Sequence, residues 1–96
     1  MFAVVYKFEV RQGKEALFSE ARHQLTFLFR AEAGALGSRL HQSDSEFWAY
    51  AQWPNEEAWE QAELSEKAAV WRDQMKGSLL KSAVVFKGQV KDDLLL

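Results

Sequence analysis

The chain has 96 residues, a net charge of −2 and no cysteine, with 48% apolar and 14% aromatic residues. Those values fit one domain spanning residues 1–96, exclude a disulfide framework, a thiolate metal site and a cysteine nucleophile, and without a basic run exclude nucleic acid and anionic membrane surfaces as partners. No apolar run approaches the roughly 20 residues that cross a bilayer, and the opening Phe2-Ala3-Val4-Val5-Tyr6 lacks the basic start of a signal peptide, so the expected location is cytoplasmic.

Phe2 to Val10, rich in β-branched and aromatic residues, is predicted as a strand. Phe2, Val4, Tyr6, Phe8 and Val10 share one face, and Lys7 and Glu9 mark the other. After a turn at Arg11-Gln12-Gly13-Lys14, helical periodicity runs to about Glu32. Leu17, Ala21, Leu25 and Leu28 are its predicted core stripe, with Phe18 and Phe29 on the stripe's edge. Gly34 ends that helix. His23 falls nearly opposite the stripe and is expected in solvent; Phe27 falls well off it and is an exposed aromatic with a possible contact role.

Leu36 to Gln42 reads as a second strand and Glu46 to Trp53 as a third, joined into a hairpin by Ser43-Asp44-Ser45. Pro54 stops the strand. Asn55 caps a helix whose first turn holds Glu56 and Glu57, where the dipole favours negative charge. This helix carries Ala58, Trp59 and Ala62 and breaks near Leu64-Ser65. Ser65 is expected to cap a second piece, running to about Leu79, that presents Ala68, Val70, Trp71 and Met75. Ser82 to Val90 is a fourth strand. The tail Lys91-Asp92-Asp93-Leu94-Leu95-Leu96 either reaches a partner subunit or frays.

The order β-α-β-β-α-β, with right-handed crossovers, predicts an α+β ferredoxin-like fold: a four-stranded antiparallel sheet with its helices on one face. The other face would carry Val5, Lys7, Trp48 and Tyr50. Two large aromatics left in water by a lone domain are unfavourable, so that face is expected to pack on the sheet of a second copy, giving a homodimer through Trp48 and Tyr50.

Candidate chemistry lies on the helix side of the sheet. Phe47, Ala49, Ala51 and Trp53 share a face, and two alanines between large aromatics leave space above the sheet. Trp59, Trp71, Arg72 and Met75 would roof that space. They read either as ordinary core residues or as the walls of a flat apolar pocket for an aromatic ligand. In the second case Arg72 is a permanent cation able to stabilise a phenolate or enolate oxygen, where the alternative is an ordinary surface arginine. Tyr6 faces the same side and offers a hydroxyl. His41 reads either as a hydrogen-bonded strand residue or as a base or proton shuttle. The two histidines stand on different elements with no metal-ligand spacing, so no metal site is expected. No Gly-rich phosphate loop or nucleophile elbow is present.

Gly13-Lys14-Glu15, Gly34-Ala35-Leu36-Gly37-Ser38, and above all Tyr50-Ala51-Gln52-Trp53-Pro54 followed by Glu57-Ala58-Trp59 resemble the antibiotic biosynthesis monooxygenase family over residues 2 to 93. The resemblance implies a dimeric α+β barrel, each subunit keeping a cavity beneath its helices. It also implies oxidation of quinols or anthrones by O2 with no metal or flavin, the substrate itself supplying the electrons. In the anthrone-oxidising branch the site is lined by an Asn and a Trp on the third strand, a Tyr on the next helix and a later Arg. Trp53 matches the Trp, and Arg72 matches the Arg after a one-residue gap. Trp59 stands in place of the Tyr and Ala49 in place of the Asn; the second departure removes a polar group that the branch uses in anthrone oxidation and leaves the pocket itself unaffected. The haem-degrading branch has an Asn, a Trp and a His ligand where this chain has Tyr6, Ala62 and Arg72, so haem chemistry is not implied.

Two functions therefore stand open on sequence: a cofactor-independent monooxygenase acting on a small aromatic, with Arg72 holding the anionic oxygen, Trp53 and Trp59 enclosing the ring and Tyr6 or His41 moving a proton, or a non-catalytic or stress-related binding domain. An isomerase on the same architecture is a third.

Overall fold

The computed structural model describes residues 1–95. Strand β1 (Phe2–Val10) leads into helix α1 (Glu15–Glu32), the hairpin β2 (Gly37–Ser43) and β3 (Glu46–Trp53), the short helix α2 (Glu56–Glu60), a single 3₁₀ turn (Glu66–Ala68), helix α3 (Ala69–Ser78) and strand β4 (Leu79–Gln89). The sheet order is β2-β3-β1-β4, every neighbouring pair antiparallel. This is the predicted ferredoxin-like arrangement, with β1 in the interior of the sheet and the helices on one face.

The register explains which side chains meet. Phe2 faces Trp53, Tyr6 faces Ala49 and Phe8 faces Phe47 across the β1–β3 ladder. Because side chains alternate, this set lies on the helix side, where Phe2, Val4, Phe8, Phe47, Ala49 and Trp53 are all buried. The opposite set carries Lys7, paired with Glu46 at 3.0 Å and lying 5.4 Å over the Trp48 ring. Trp48 and Tyr50 are half-buried there, and Phe86 of β4 is 57% exposed on the same face. Strand β4 skips one residue against β1 between Val5 and Tyr6, and another between Glu9 and Val10. These bulges keep Ser82 and Val84 on the helix side beside Phe8 and Tyr6.

Local signals behave as expected at most boundaries. Gly34, at φ 80, takes the left-handed conformation that ends α1, and the Ala33 and Ala35 N–H groups both donate to the Phe29 carbonyl. Asp44, at φ 55, turns the β2–β3 hairpin, a conformation its short polar side chain tolerates. The Asn55 side chain accepts from the Ala58 N–H at 2.8 Å, the predicted cap.

Two expectations need correction. The first concerns α1: the buried residues are Phe18, Ala21 and Leu25, whereas Leu17 is 42% exposed. At 100° per residue, the true stripe (18, 21, 22, 25, 29) is rotated by about 60° from the one drawn through Leu17, Ala21, Leu25 and Leu28. The two share Ala21 and Leu25, and the larger phenylalanines take the core. The second is Ser65, whose side chain makes no cap bond. Its N–H and hydroxyl donate instead to the two Glu32 carboxylate oxygens at 2.8 and 2.9 Å. Those bonds, the backbone one first, hold the Glu32 carboxyl below its ordinary range, with Lys67 adding to them. They tie the α2–α3 connection to the end of α1.

The tail does not run free of the chain. The Val90 N–H donates to the Met1 carbonyl at 2.8 Å, and Asp93 and Leu95 line a shallow cleft with Arg39, Tyr50 and Gln52 of the outer face. The last of the three terminal leucines, Leu96, lies outside the described residues.

Candidate functional site

The buried side chains on the helix side form two clusters, not one. Phe8, Phe18, Phe47 and Ala49 make the first; Phe2, Val4 and Trp53 make the second. Tyr6 borders both. Between them is a cavity of about 400 Å³, within the size range of small-molecule sites.

Its floor is β1 and β3, where Ala49 and Ala51 carry too little side chain to reach the helices. Helix α1 supplies Arg22, Leu25, Thr26 and Phe29. Trp59 and Ala62 close one side, Arg72 and Met75 of α3 another, and Ser38 and Ser82 stand at the edges. Trp53 is buried and meets Phe29 edge-on at 5.7 Å. Trp59 is fixed from three sides: its ring lies 5.8 Å from Phe2, the Lys87 ammonium sits 5.3 Å over it, and its indole N–H donates to the Tyr6 hydroxyl at 2.8 Å. Lys87 is itself anchored to Glu56 at 3.3 Å.

The Tyr6–Trp59 bond sets the chemistry of the hydroxyl. Burial raises the Tyr6 phenol above its ordinary value, an effect the Trp59 hydrogen bond offsets only in part. Tyr6 is therefore a neutral phenol whose oxygen already accepts from Trp59 and whose proton is left to donate. It is suited to hydrogen-bonding an oxyanion and unsuited to acting as a base.

The chain matches the antibiotic biosynthesis monooxygenase family model over residues 1–74. The chain belongs to that family. It shares its fold with solved structures at low identity. Rv0793 from Mycobacterium tuberculosis is 20% identical, with 98% of each chain covered and a TM-score of 0.74. SnoaB, a cofactor-independent oxygenase from Streptomyces nogalater, is 16% identical over 97% of this chain and 95% of its own, with a TM-score of 0.77. A candidate antibiotic biosynthesis monooxygenase from Nitrosomonas europaea is 17% identical over 96% of this chain and 100% of its own, also at 0.77. None of the curated proteins matches the chain.

Of the residues singled out on sequence, Tyr6, Ala49, Trp53, Trp59, Arg72 and Met75 all line this cavity. Two do not. His41 pairs with Trp48 across the β2–β3 ladder, so its side chain leaves the sheet on the outer face, and the residue is exposed. Strand alternation puts Leu40 on the inner face and His41 out of reach of the cavity, which removes it as a proton carrier there. Trp71 is half-buried on α3 but does not line the cavity; its neighbour Arg72 does. Adjacent helical residues point about 100° apart, so Trp71 and Arg72 do not share a direction: Arg72, itself exposed, lines the cavity with the half-buried Met75. His23 is exposed as expected, packed edge-on against the exposed Phe27 at 4.8 Å.

Arg22 was not a sequence candidate, yet it lines the cavity. One guanidinium NH2 group donates to the Ser38 hydroxyl, and Nε is buried with no partner. Burial lowers its pKa below the ordinary arginine value, though the group remains a cation. The signal was present: Arg22 stands at i+4 from Phe18 and i−3 from Leu25, a charge inside an apolar stripe. Placing the stripe on Leu17 and Leu28 turned Arg22 toward solvent and hid it. Among the described residues, no group of three or more His, Cys, Asp or Glu is placed to hold a metal ion, and no helix is long and apolar enough to cross a membrane.

Proposed function

We propose that the chain is a cofactor-independent monooxygenase that oxidises a small aromatic compound, a quinol, phenol or anthrone-like molecule, with O2 inside this cavity. The observation that carries the reading is the make-up of the lining. It is apolar and aromatic, its polar groups are donors or hydroxyls, and no Asp, Glu or His contributes. Such a site favours an anionic ligand oxygen over its neutral form. An aromatic oxyanion is electron-rich enough to reduce O2 without a cofactor. For an anthrone-like methylene, the carbon becomes a carbonyl, one oxygen atom stays on it, the other leaves as water, and the substrate supplies all four electrons. Arg72 and Tyr6 would stabilise the oxyanion. Trp53 and Trp59 would enclose the ring over Ala49 and Ala51, with Met75 closing the roof. Oxygen uptake measured with a panel of quinols and anthrones tests this. Uptake that falls at least tenfold on Arg72→Ala is expected; no uptake with any member, or uptake indifferent to that substitution, removes it.

A second reading is a binding domain that leaves its ligand unchanged, favoured by Ala49 standing where the anthrone-oxidising branch has a polar residue. Recovery of an unaltered aromatic after prolonged aerobic incubation would support it.

We further propose a homodimer through the outer sheet face. Trp48, Tyr50 and the exposed Phe86 lie there together, and a second copy would cover them. Tyr50→Asp should give monomer by light scattering, and an unchanged dimer would place the interface elsewhere. A cytoplasmic location goes with this reading, as befits a chain built without cysteine.

A further inference from the structure

The cavity has more positive charge than the reaction above uses. Its lining holds two guanidinium groups, Arg22 and Arg72, and no carboxylate. The two salt bridges among the described residues lie elsewhere, at Lys7–Glu46 and Lys87–Glu56. Arg22 is half-buried, and no acidic group contributes to its altered pKa; burial alone does. Two buried side-chain polar atoms lack a partner among the described residues, Arg22 Nε and Trp53 Nε1. Both are donors, and both belong to side chains that line this cavity.

A partly desolvated cation with no counter-ion is unfavourable unless something completes it. Surface arginines escape the problem by reaching water, but Arg22 sits in the apolar stripe of α1 between Phe18 and Leu25, and its guanidinium is turned to Ser38 of β2. A phenol would not discharge it, since at neutral pH a phenol arrives uncharged. A carboxylate would: it is ionised before it binds, and its two oxygens match the planar fork of donors.

We propose that Arg22 and Ser38 form an anion-receiving subsite, and that the ligand is an aromatic compound bearing a carboxylate, which docks on Arg22 while the ring lies over Ala49 and Ala51. This rests on the cavity being the substrate site, and it divides the labour of the two arginines: Arg22 anchors a permanent anion and Arg72 serves the oxygen that becomes anionic. The separation has a structural basis. Arg22 comes from α1 on the β2 side of the sheet, beside Ser38, which pairs with Ala51, whereas Arg72 comes from α3.

The test uses 1-hydroxy-2-naphthoate and its methyl ester, which share ring and phenol and differ in the carboxylate charge. Binding to the intact protein is followed by quenching of tryptophan fluorescence. The wild type is expected to bind the acid at least about tenfold more tightly than the ester, a gap of about 1.4 kcal/mol. Arg22→Gln should erase that preference and leave ester affinity within about twofold, while Arg22→Lys, which keeps the charge without the fork, should retain part of it. Arg22→Lys also decides the matter if the glutamine variant fails to fold: an acid preference undiminished in the lysine variant overturns the fork, and a reduced one supports it. Equal binding of acid and ester by the wild type, no binding of the acid, or loss of the preference on Arg72→Gln instead of Arg22→Gln overturns the subsite. Oxygen uptake with 1,4-dihydroxy-2-naphthoate separates this from the oxygenase reading. Acid preference without uptake keeps the subsite and sinks the oxygenase; uptake without acid preference does the reverse.

Discussion

The layer between sheet and helices has two ends made from the same kind of residue, and only one of them is closed. At the closed end Phe8, Phe18 and Phe47 pack in a row, Phe18 lying 5.0 Å from Phe8 and 5.2 Å from Phe47. At the open end Trp53, Phe29, Trp59 and Phe2 are as aromatic and as well braced, but they line a space instead of filling it. The difference comes from what stands opposite. Phe18 of α1 fills the gap over Phe8 and Phe47, whereas one turn later Arg22 occupies the equivalent position over Ala51 and cannot be driven into an apolar core. Two alanines below and one arginine above convert a core into a cavity, and the aromatics around them serve packing and ligand alike.

The largest effect is expected at the closed end. Phe18 is fully buried and joins α1 to both central strands. Phe18→Ala should lower stability by about 3–5 kcal/mol, read from urea unfolding. A loss below about 1 kcal/mol would mean that the closed end can collapse as freely as the open one, and the contrast drawn above would fail.

At the boundary between the ends, Tyr6→Phe should cost about 1–2 kcal/mol, because the Trp59 indole N–H loses its acceptor in a partly buried place. It should also remove a pH signature. The Tyr6 phenol is raised by burial, so the folded state holds that proton to higher pH than the unfolded state does. Below the ordinary tyrosine value both states are protonated and nothing is lost; as pH rises through about 10, the unfolded state sheds its proton first and stability falls. Urea midpoints measured from neutral to alkaline pH should drop more steeply in the wild type than in Tyr6→Phe. Parallel slopes would show that burial does not govern this hydroxyl.

Strand alternation makes the sheet legible in the sequence. With Phe47, Ala49, Ala51 and Trp53 on one side of β3, the register and the position of the cavity floor follow, and the two alanines announce a gap. The roof was harder. On α1 two candidate stripes share Ala21 and Leu25, and hydrophobicity alone does not choose between flanking leucines and flanking phenylalanines. The choice depends on the width of the slot above Phe8 and Phe47, a tertiary fact. Misplacing the stripe by about 60°, less than the rotation from one residue to the next, cost Arg22, the charge that most constrains the ligand. On α3 the same ambiguity offered both Trp71 and Arg72, which one helix cannot aim at one cavity. His41 shows the reverse lesson: the alternation that placed Ala49 correctly also placed His41 outside, had the β2 register been anchored on its pairing with Trp48.

The smallest effect on stability, and the sharpest test of the contrast, belongs to Ala51→Leu. In a close-packed core, added methylenes force side chains off their rotamers and cost about 1–3 kcal/mol. Ala51 instead faces the cavity between Ser38 and Val4, where a leucine can extend into open volume and bury its own apolar surface there. The expected change in unfolding free energy is within about 0.5 kcal/mol of zero, while quenching of the tryptophans by an aromatic carboxylate should be lost because the ring's place over β3 is taken. A leucine that destabilises the fold as a core insertion would, and leaves ligand binding intact, would show that the space above Ala51 closes in solution and that the open end is a second core.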